Sequence, residues 1–260
     1  MKRILAIAAA AAIATACTLA QERGIPRGEV RSGSEFLGKD LRALQDDDFE
    51  NPGMLWIDRG ERLWREPAGK RGRSCAACHG DAATSMRGVA ARYPQVDPGN
   101  GEILNLEGRI NACRVAHQGA APFGHESGDL LSITAYVARQ SRGLAIDVRV
   151  DGPARKHFEA GRAMYYERRG QMNLSCANCH EANWGKRLLS ETISQGYPNA
   201  YPAYRLEWQT MGSLERRLRA CLSGIRAEML PYGALEYLDL EVFLAWRARG
   251  LPVETPGVRR

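Results

Sequence analysis

The chain has 260 residues, 44% of them hydrophobic but only 7% aromatic, and a formal charge of +6. That length suffices for one large or two small globular domains. The positive charges are scattered singly and in pairs, not in tracts interleaved with aromatics; this pattern argues against nucleic acid and suits small anions or an acidic protein partner.

At the start, Met1-Lys2-Arg3 precedes an alanine-rich apolar run from Ile4 to Ala16. A charged head followed by so short an apolar stretch reads as an export leader over residues 1–20 rather than a membrane span. Cleavage after Thr18-Leu19-Ala20 leaves Gln21 first and lowers the charge to about +4, because Lys2 and Arg3 depart. Cys17 offers lipid anchoring as an alternative, which the alanine at position 14, where leucine is usual, makes the weaker reading. No second long apolar run follows, so a periplasmic protein without a membrane span is expected. Residues 21–50, glycine-containing and acidic at Asp46-Asp47-Asp48, read as an extended arm.

From there the sequence runs twice through one plan, with a first unit at 51–148 and a second at 149–260. Ile57, Gly60, Leu63 and Trp64 recur as Phe158, Gly161, Met164 and Tyr165. Their spacing lines one face of a helix, with glycine permitting a close approach. Cys75-Ala76-Ala77-Cys78-His79 then recurs as Cys176-Ala177-Asn178-Cys179-His180. C-x-x-C-H is the haem-attachment signature: two thiols at this spacing reach the vinyl groups of one haem, and the adjacent imidazole falls under the iron. No further Cys or His follows either string at the spacing a zinc knuckle needs. Two covalently bound haem c groups are therefore expected, held by Cys75, Cys78, Cys176 and Cys179, with His79 and His180 as proximal ligands.

Beyond each motif come Tyr93-Pro94 and Tyr201-Pro202. Then Asn105 and Ser213 stand as N-caps before short helices ending near Cys113 and Cys221. Pro122-Phe123-Gly124 matches Pro231-Tyr232-Gly233, and final helices begin at Leu131 and Leu238. The plan is mainly α: two tandem class I cytochrome c-like domains related by an internal repeat. The boundary falls where Ile146 to Gly152 breaks the helical pattern.

The second axial ligand decides what such a protein does. Cys113 and Cys221 lie 34 and 41 residues after their histidines and are the liganding side chains at equivalent places in both halves. Double cysteine ligation is the reading the repeat favours. A disulfide between the two, an inert buried thiol at Cys113, or ligation by His117, His125 or Met229 stand as alternatives. Met229-Leu230-Pro231 has the form of a methionine ligand loop, but Ala120-Ala121-Pro122 at the matching place carries no ligand. Thiolate ligation would push electron density onto the iron and lower its potential, and a ligating thiolate is also the form that attacks sulfur. Arg217, four residues before Cys221, shares its helical face. Its guanidinium suits either an anionic oxygen cluster or a haem propionate, and Arg109 at the matching place keeps the propionate reading open. Arg226 adds to the same positive region or is a solvated surface charge.

The two C-x-x-C-H halves, the cysteine in each, and the stretch Cys221-Leu-Ser-Gly-Ile-Arg226-Ala-Glu-Met-Leu-Pro231-Tyr232-Gly233 resemble SoxA, the di-haem subunit of the bacterial thiosulfate-oxidising Sox system. The resemblance spans nearly the whole mature chain. It implies an L-cysteine S-thiosulfotransferase that couples thiosulfate oxidatively to a cysteine of a SoxYZ-like carrier. The two electrons would pass to a SoxX-like mono-haem cytochrome c in a heterodimer. It further implies that Cys221 is the active-site cysteine and a haem ligand, that Arg217 binds the substrate anion, and that Cys113 is the distal ligand of the first haem. Two other classes stand beside it. One is a thiosulfate dehydrogenase forming tetrathionate, against which cysteines in both halves argue; the other is a plain di-haem electron carrier.

Overall fold

The computed structural model describes residues 24–260. The leader read over residues 1–20, including Cys17, lies outside them. Among the described residues no helix is long and apolar enough to cross a membrane.

Each half is built on one pair of helices. In the first, α2 (Met54–Arg65) packs on α6 (Gly128–Arg139); in the second, α7 (Arg155–Tyr166) packs on α10 (Leu235–Arg247). The apolar stripe turns inward: Ile57 and Trp64 are buried against Leu131, Ile133 and Tyr136, as Phe158, Met164 and Tyr165 are against Leu240, Phe243 and Leu244. Both helix pairs cross at the repeated glycine. A Cβ on Gly60 would stand 2.2 Å from the Ser132 carbonyl oxygen, and one on Gly161 would stand 1.9 Å from that of Asp239. The backbones touch there, and only a missing side chain allows it.

The two C-x-x-C-H strings form one-turn helices, α3 (Cys75–His79) and α8 (Cys176–His180). A four-residue turn, α4 (Ala82–Ser85), follows the first. The short cysteine-bearing helices are α5 (Leu106–Cys113) and α9 (Leu214–Gly224). Their caps are those read from the sequence: the Asn105 side chain accepts from Gly108 N at 2.9 Å and Ser213 Oγ from Arg216 N at 3.0 Å. Such caps satisfy amide groups that a helix start leaves without partners. The halves differ at the far end. α5 stops at Cys113 and continues as a π turn over Arg114–Gln118, whereas α9 runs on to Gly224.

Strands that periodicity did not disclose join the halves. Two short hairpins, β1 (Gln95–Val96) with β2 (Ile103–Leu104) and β3 (Arg187–Leu188) with β4 (Glu191–Thr192), lie one in each half. A three-stranded sheet has β5 (Ala203–Arg205) at its centre, antiparallel to β6 (Thr210–Gly212) and parallel to β7 (Gly257–Arg259). Met211 of β6 is fully buried in the core of the first half. A further apolar cluster unites Ala91, Ile146 and Val148 with Tyr197, Ala245, Ala248 and Val253. The arm carries α1 (Lys39–Asp46) and is pinned mainly along the second half. Arg31 N donates to Gln195 Oε1 at 2.7 Å, Gln195 Nε2 donates to the Glu29 carbonyl at 2.8 Å, and Val258 N donates to Gln45 Oε1 at 3.1 Å.

Candidate functional site

Serines just ahead of the motifs start both attachment helices. Ser74 Oγ accepts from Ala77 N at 3.0 Å, and Ser175 forms a reciprocal capping box with Asn178. The preceding loops dock on the ends of the cysteine-bearing segments in the same manner. Arg71 N donates to the Gln118 carbonyl at 3.1 Å, and Gln171 N to the Arg226 carbonyl at 3.2 Å. A left-handed glycine, Gly69 or Gly170, makes each crossing possible: a Cβ on either would stand 2.3 Å from a carbonyl oxygen of the docked segment. These contacts hold Cys113 and Cys221 over their motifs. Cys113 lies within electrostatic reach of Cys75 and Cys78, and Cys221 within reach of Cys176 and Cys179.

The histidines that close the two strings, His79 and His180, are set differently. His180 Nδ1 lies 2.7 Å from the Ser194 carbonyl oxygen, so Nδ1 carries the proton and Nε2 keeps its lone pair. The ring rests against Gly196, where a Cβ would come within 2.7 Å of it. Burial pulls the His180 pKa down to about 4 against the favourable Ser194 bond, and Arg247 and Arg217 add to the depression. A neutral imidazole with a fixed tautomer is the form that binds a metal. His79 instead packs on the Trp64 ring at 5.8 Å between centroids, and Trp64 Nε1 donates to the Gly80 carbonyl at 3.1 Å. This donor set fits haem c in both halves: paired thiols on a capped turn, an adjacent imidazole, and a third thiol from a facing helix.

The matched arginines have unlike surroundings. Arg109 pairs with Asp97 at 3.1 Å and donates to the Tyr93 hydroxyl at 3.2 Å. Burial raises the pKa of the Cys113 thiol, and Arg109 partly opposes the rise. Arg217 makes no ion pair among the described residues, and its main electrostatic partner is Cys221, which holds its pKa up against partial burial. An unpaired guanidinium beside a thiol can hold an anion and favour the thiolate. Burial, reinforced by Cys221, pushes the Cys176 thiol up to about 12.

The remaining candidates face elsewhere. All six described cysteines are free, so no disulfide joins Cys113 to Cys221. His117 is exposed on the π turn, and His125 is exposed and stacks on Tyr232 of the other half, 6.1 Å between ring centroids. Met229 is 47% exposed and Arg226 is exposed. Sequence reasoning missed the Ser194–Gly196 segment and Arg247. Ser194–Gly196 lies outside the matched parts of the repeat, and Arg247, although on the matched final helix, is matched there by Gln140, so the repeat gives it no ligand-like counterpart.

Residues 59–146 and 160–253 each match the family model described as SoxA/TsdA, cytochrome c domain. The chain is 40% identical over 242 residues to the L-cysteine S-thiosulfotransferase subunit SoxA of Pseudaminobacter salicylatoxidans, covering 93% of this chain and 85% of the relative. It is 38% identical over 231 residues to the subunit of the same name from Rhodovulum sulfidophilum, covering 89% and 80%. The crystal structure of SoxXA from P. pantotrophus superposes with a TM-score of 0.86 at 38% identity, over 89% of this chain and 87% of that one.

Proposed function

The chain belongs to the SoxA family of SoxA/TsdA cytochromes c, and we propose that it acts as the sulfur-transferring subunit of an L-cysteine S-thiosulfotransferase, coupling thiosulfate to a cysteine of a carrier protein. The observation that carries this reading is the unpaired guanidinium of Arg217 beside Cys221, in the half whose counterpart has its arginine neutralised by Asp97.

In this reading the protein is exported to the periplasm and its two units, 51–148 and 149–260, each hold one haem c. Cys75 and Cys78 would attach the first haem, with His79 and Cys113 available to its iron; Cys176 and Cys179 would attach the second, with His180 and Cys221 available to its iron. Bound haem supplies an acceptor that takes electrons one at a time.

The chain's own residues do the rest. Arg217 receives the sulfonate oxygens of thiosulfate in its planar fork and leaves the terminal sulfur facing Cys221. A bond forms between that sulfur and Cys221 Sγ, and the two thiolate-type sulfurs together give up two electrons, which leave towards a partner mono-haem cytochrome c of the SoxX kind. A thiolate on a SoxYZ-like carrier then attacks the terminal sulfur, and Cys221 departs as thiolate. The net change is one new sulfur–sulfur bond, two electrons released and Cys221 regenerated.

The test is Cys221→Ala with both haems verified by absorbance. Coupling of thiosulfate to the carrier is expected to fall to background, and wild-type coupling in that variant would remove the covalent role. Tetrathionate formed without any carrier would move the protein to the thiosulfate dehydrogenase class.

A further inference from the structure

Arg247, the last residue of α10, is only 7% exposed. Its Nη1 donates to the Gln195 carbonyl at 3.2 Å, and its Nη2 stands 3.5 Å from Glu181 Oε1. The guanidinium lies over the rings of Tyr165 at 4.4 Å and Tyr197 at 5.0 Å. Gln195 sits between Ser194, whose carbonyl accepts from His180 Nδ1, and Gly196, on which the His180 ring rests. Glu181 directly follows His180. Arg247 therefore braces the proximal imidazole from both sides of the chain.

The first half has no such cation. The counterpart of Arg247 is Gln140, at the same offset that relates Arg142 to Arg249, and its Nε2 donates to the Tyr136 carbonyl of its own helix at 2.8 Å. The counterparts of Tyr165 and Glu181 are Trp64 and Gly80, which bond to each other through a neutral indole N–H. One half presents a neutral indole donor at this place, and the other a buried arginine paired with Glu181.

We propose that Arg247 is a positioning residue that sets the reduction potential of the second haem apart from that of the first. It does so with a buried cation behind His180 and by fixing the carbonyl on His180 Nδ1. A positive charge in a low-dielectric interior favours the less positive, reduced iron and so raises the potential. Glu181 offsets part of that field, while the tyrosine faces hold the guanidinium without cancelling it. The inference rests on the two-haem reading above. There its consequence is that the cation offsets the lowering by a thiolate ligand and keeps the second haem able to accept electrons.

The experiment is a potentiometric titration of the intact di-haem protein. The second haem is identified as the one whose ferric signal changes in Cys221→Ala. In Arg247→Gln its midpoint is expected to shift downward with the first haem unmoved, and Arg247→Lys should restore most of the shift. Glu181→Gln, which removes the opposing charge, should move the same midpoint upward. It also decides the matter if Arg247→Gln fails to load its haem. No shift, equal shifts of both haems, a lysine variant indistinguishable from glutamine, or a downward shift in Glu181→Gln would each overturn the proposal. No thiosulfate or carrier enters the measurement, so its failure leaves the coupling reading to stand or fall on Cys221→Ala.

Discussion

At Gly196 the absence of one methyl group lets His180 stand where it does. The residue has φ +71° and its missing Cβ would press on the imidazole. Both the left-handed backbone and the contact oppose a side chain. Gly196→Ala is expected to destabilise the protein by about 1–3 kcal/mol and to disturb the ligation spectrum of the second haem while sparing the first. Unchanged denaturant midpoint and spectrum would contradict this placement. Arg217 makes a different prediction, because the role proposed for it is to hold an anion. Arg217→Ala should raise the KM for thiosulfate about tenfold or more, the loss of at least one charge-assisted bond, with both haems retained. Arg217→Lys should recover only part, since an ammonium lacks the fork. At this scale the two C-x-x-C-H strings, each a one-turn helix, were legible as elements because their signature is confined to five consecutive residues. Ser194, Gly196 and Arg247 were not, because their meaning lies in how they surround a histidine 14 to 67 positions away.

Helices were legible where a periodic apolar face meets a local stop or start signal. The stripe through Ile57, Gly60 and Trp64, the caps at Asn105 and Ser213, and the glycine crossings all follow from spacing and side-chain chemistry alone. The crossing gives a paired prediction. Gly161→Ala forces a methyl group onto the Asp239 carbonyl and should cost about 1–3 kcal/mol. Gly224→Ala, at the end of α9 with nothing within 4 Å of the new atom, should be neutral or stabilise by up to about 1 kcal/mol. Chemical denaturation of the two variants separates them; equal losses would deny that the crossing is the tight point. The sheet of β5, β6 and β7 escaped sequence reading because its strands are three residues each, too short to show alternation, and its third strand arrives from the C-terminus.

Across the whole molecule, the two cysteine-bearing helices approach each other at a seam of buried and half-buried acids. Glu107 of α5, Glu215 of α9 and Glu241 of α10 lie close enough to oppose one another's charge, with Glu126 beside them. Partners are few. Asn105 Nδ2 donates to Glu241 at 3.2 Å, Gly233 N to Glu215 at 2.8 Å and Ser213 N to Glu126 at 3.3 Å; Arg216 lies 3.9 Å from Glu126, and His125 and Arg219 ease the charge on Glu215. Burial, and then its acidic neighbours, raise the Glu107 pKa from 4.5 to about 8, and they lift that of Glu241 well above its ordinary value. Between those values the folded chain binds more protons than the unfolded one, so stability falls as the pH rises from about 4.5 to about 8. Glu107→Gln should flatten that slope, read as denaturation midpoint against pH, and an unaltered slope would contradict the buried cluster. Glu107 and Glu215 each stand two residues after the matched caps Asn105 and Ser213, so the repeat makes them counterparts; that they face each other depends on how the halves dock and could not be read from it.

The role assigned to Cys221 requires its sulfur on the iron of the second haem, with Cys113 in the matching place on the first. A low-temperature EPR spectrum of the oxidised, fully loaded protein reads those bonds directly. Two low-spin ferric signals of imidazole–thiolate type are predicted. A signal of imidazole–methionine or bis-imidazole type at the second haem would contradict the account.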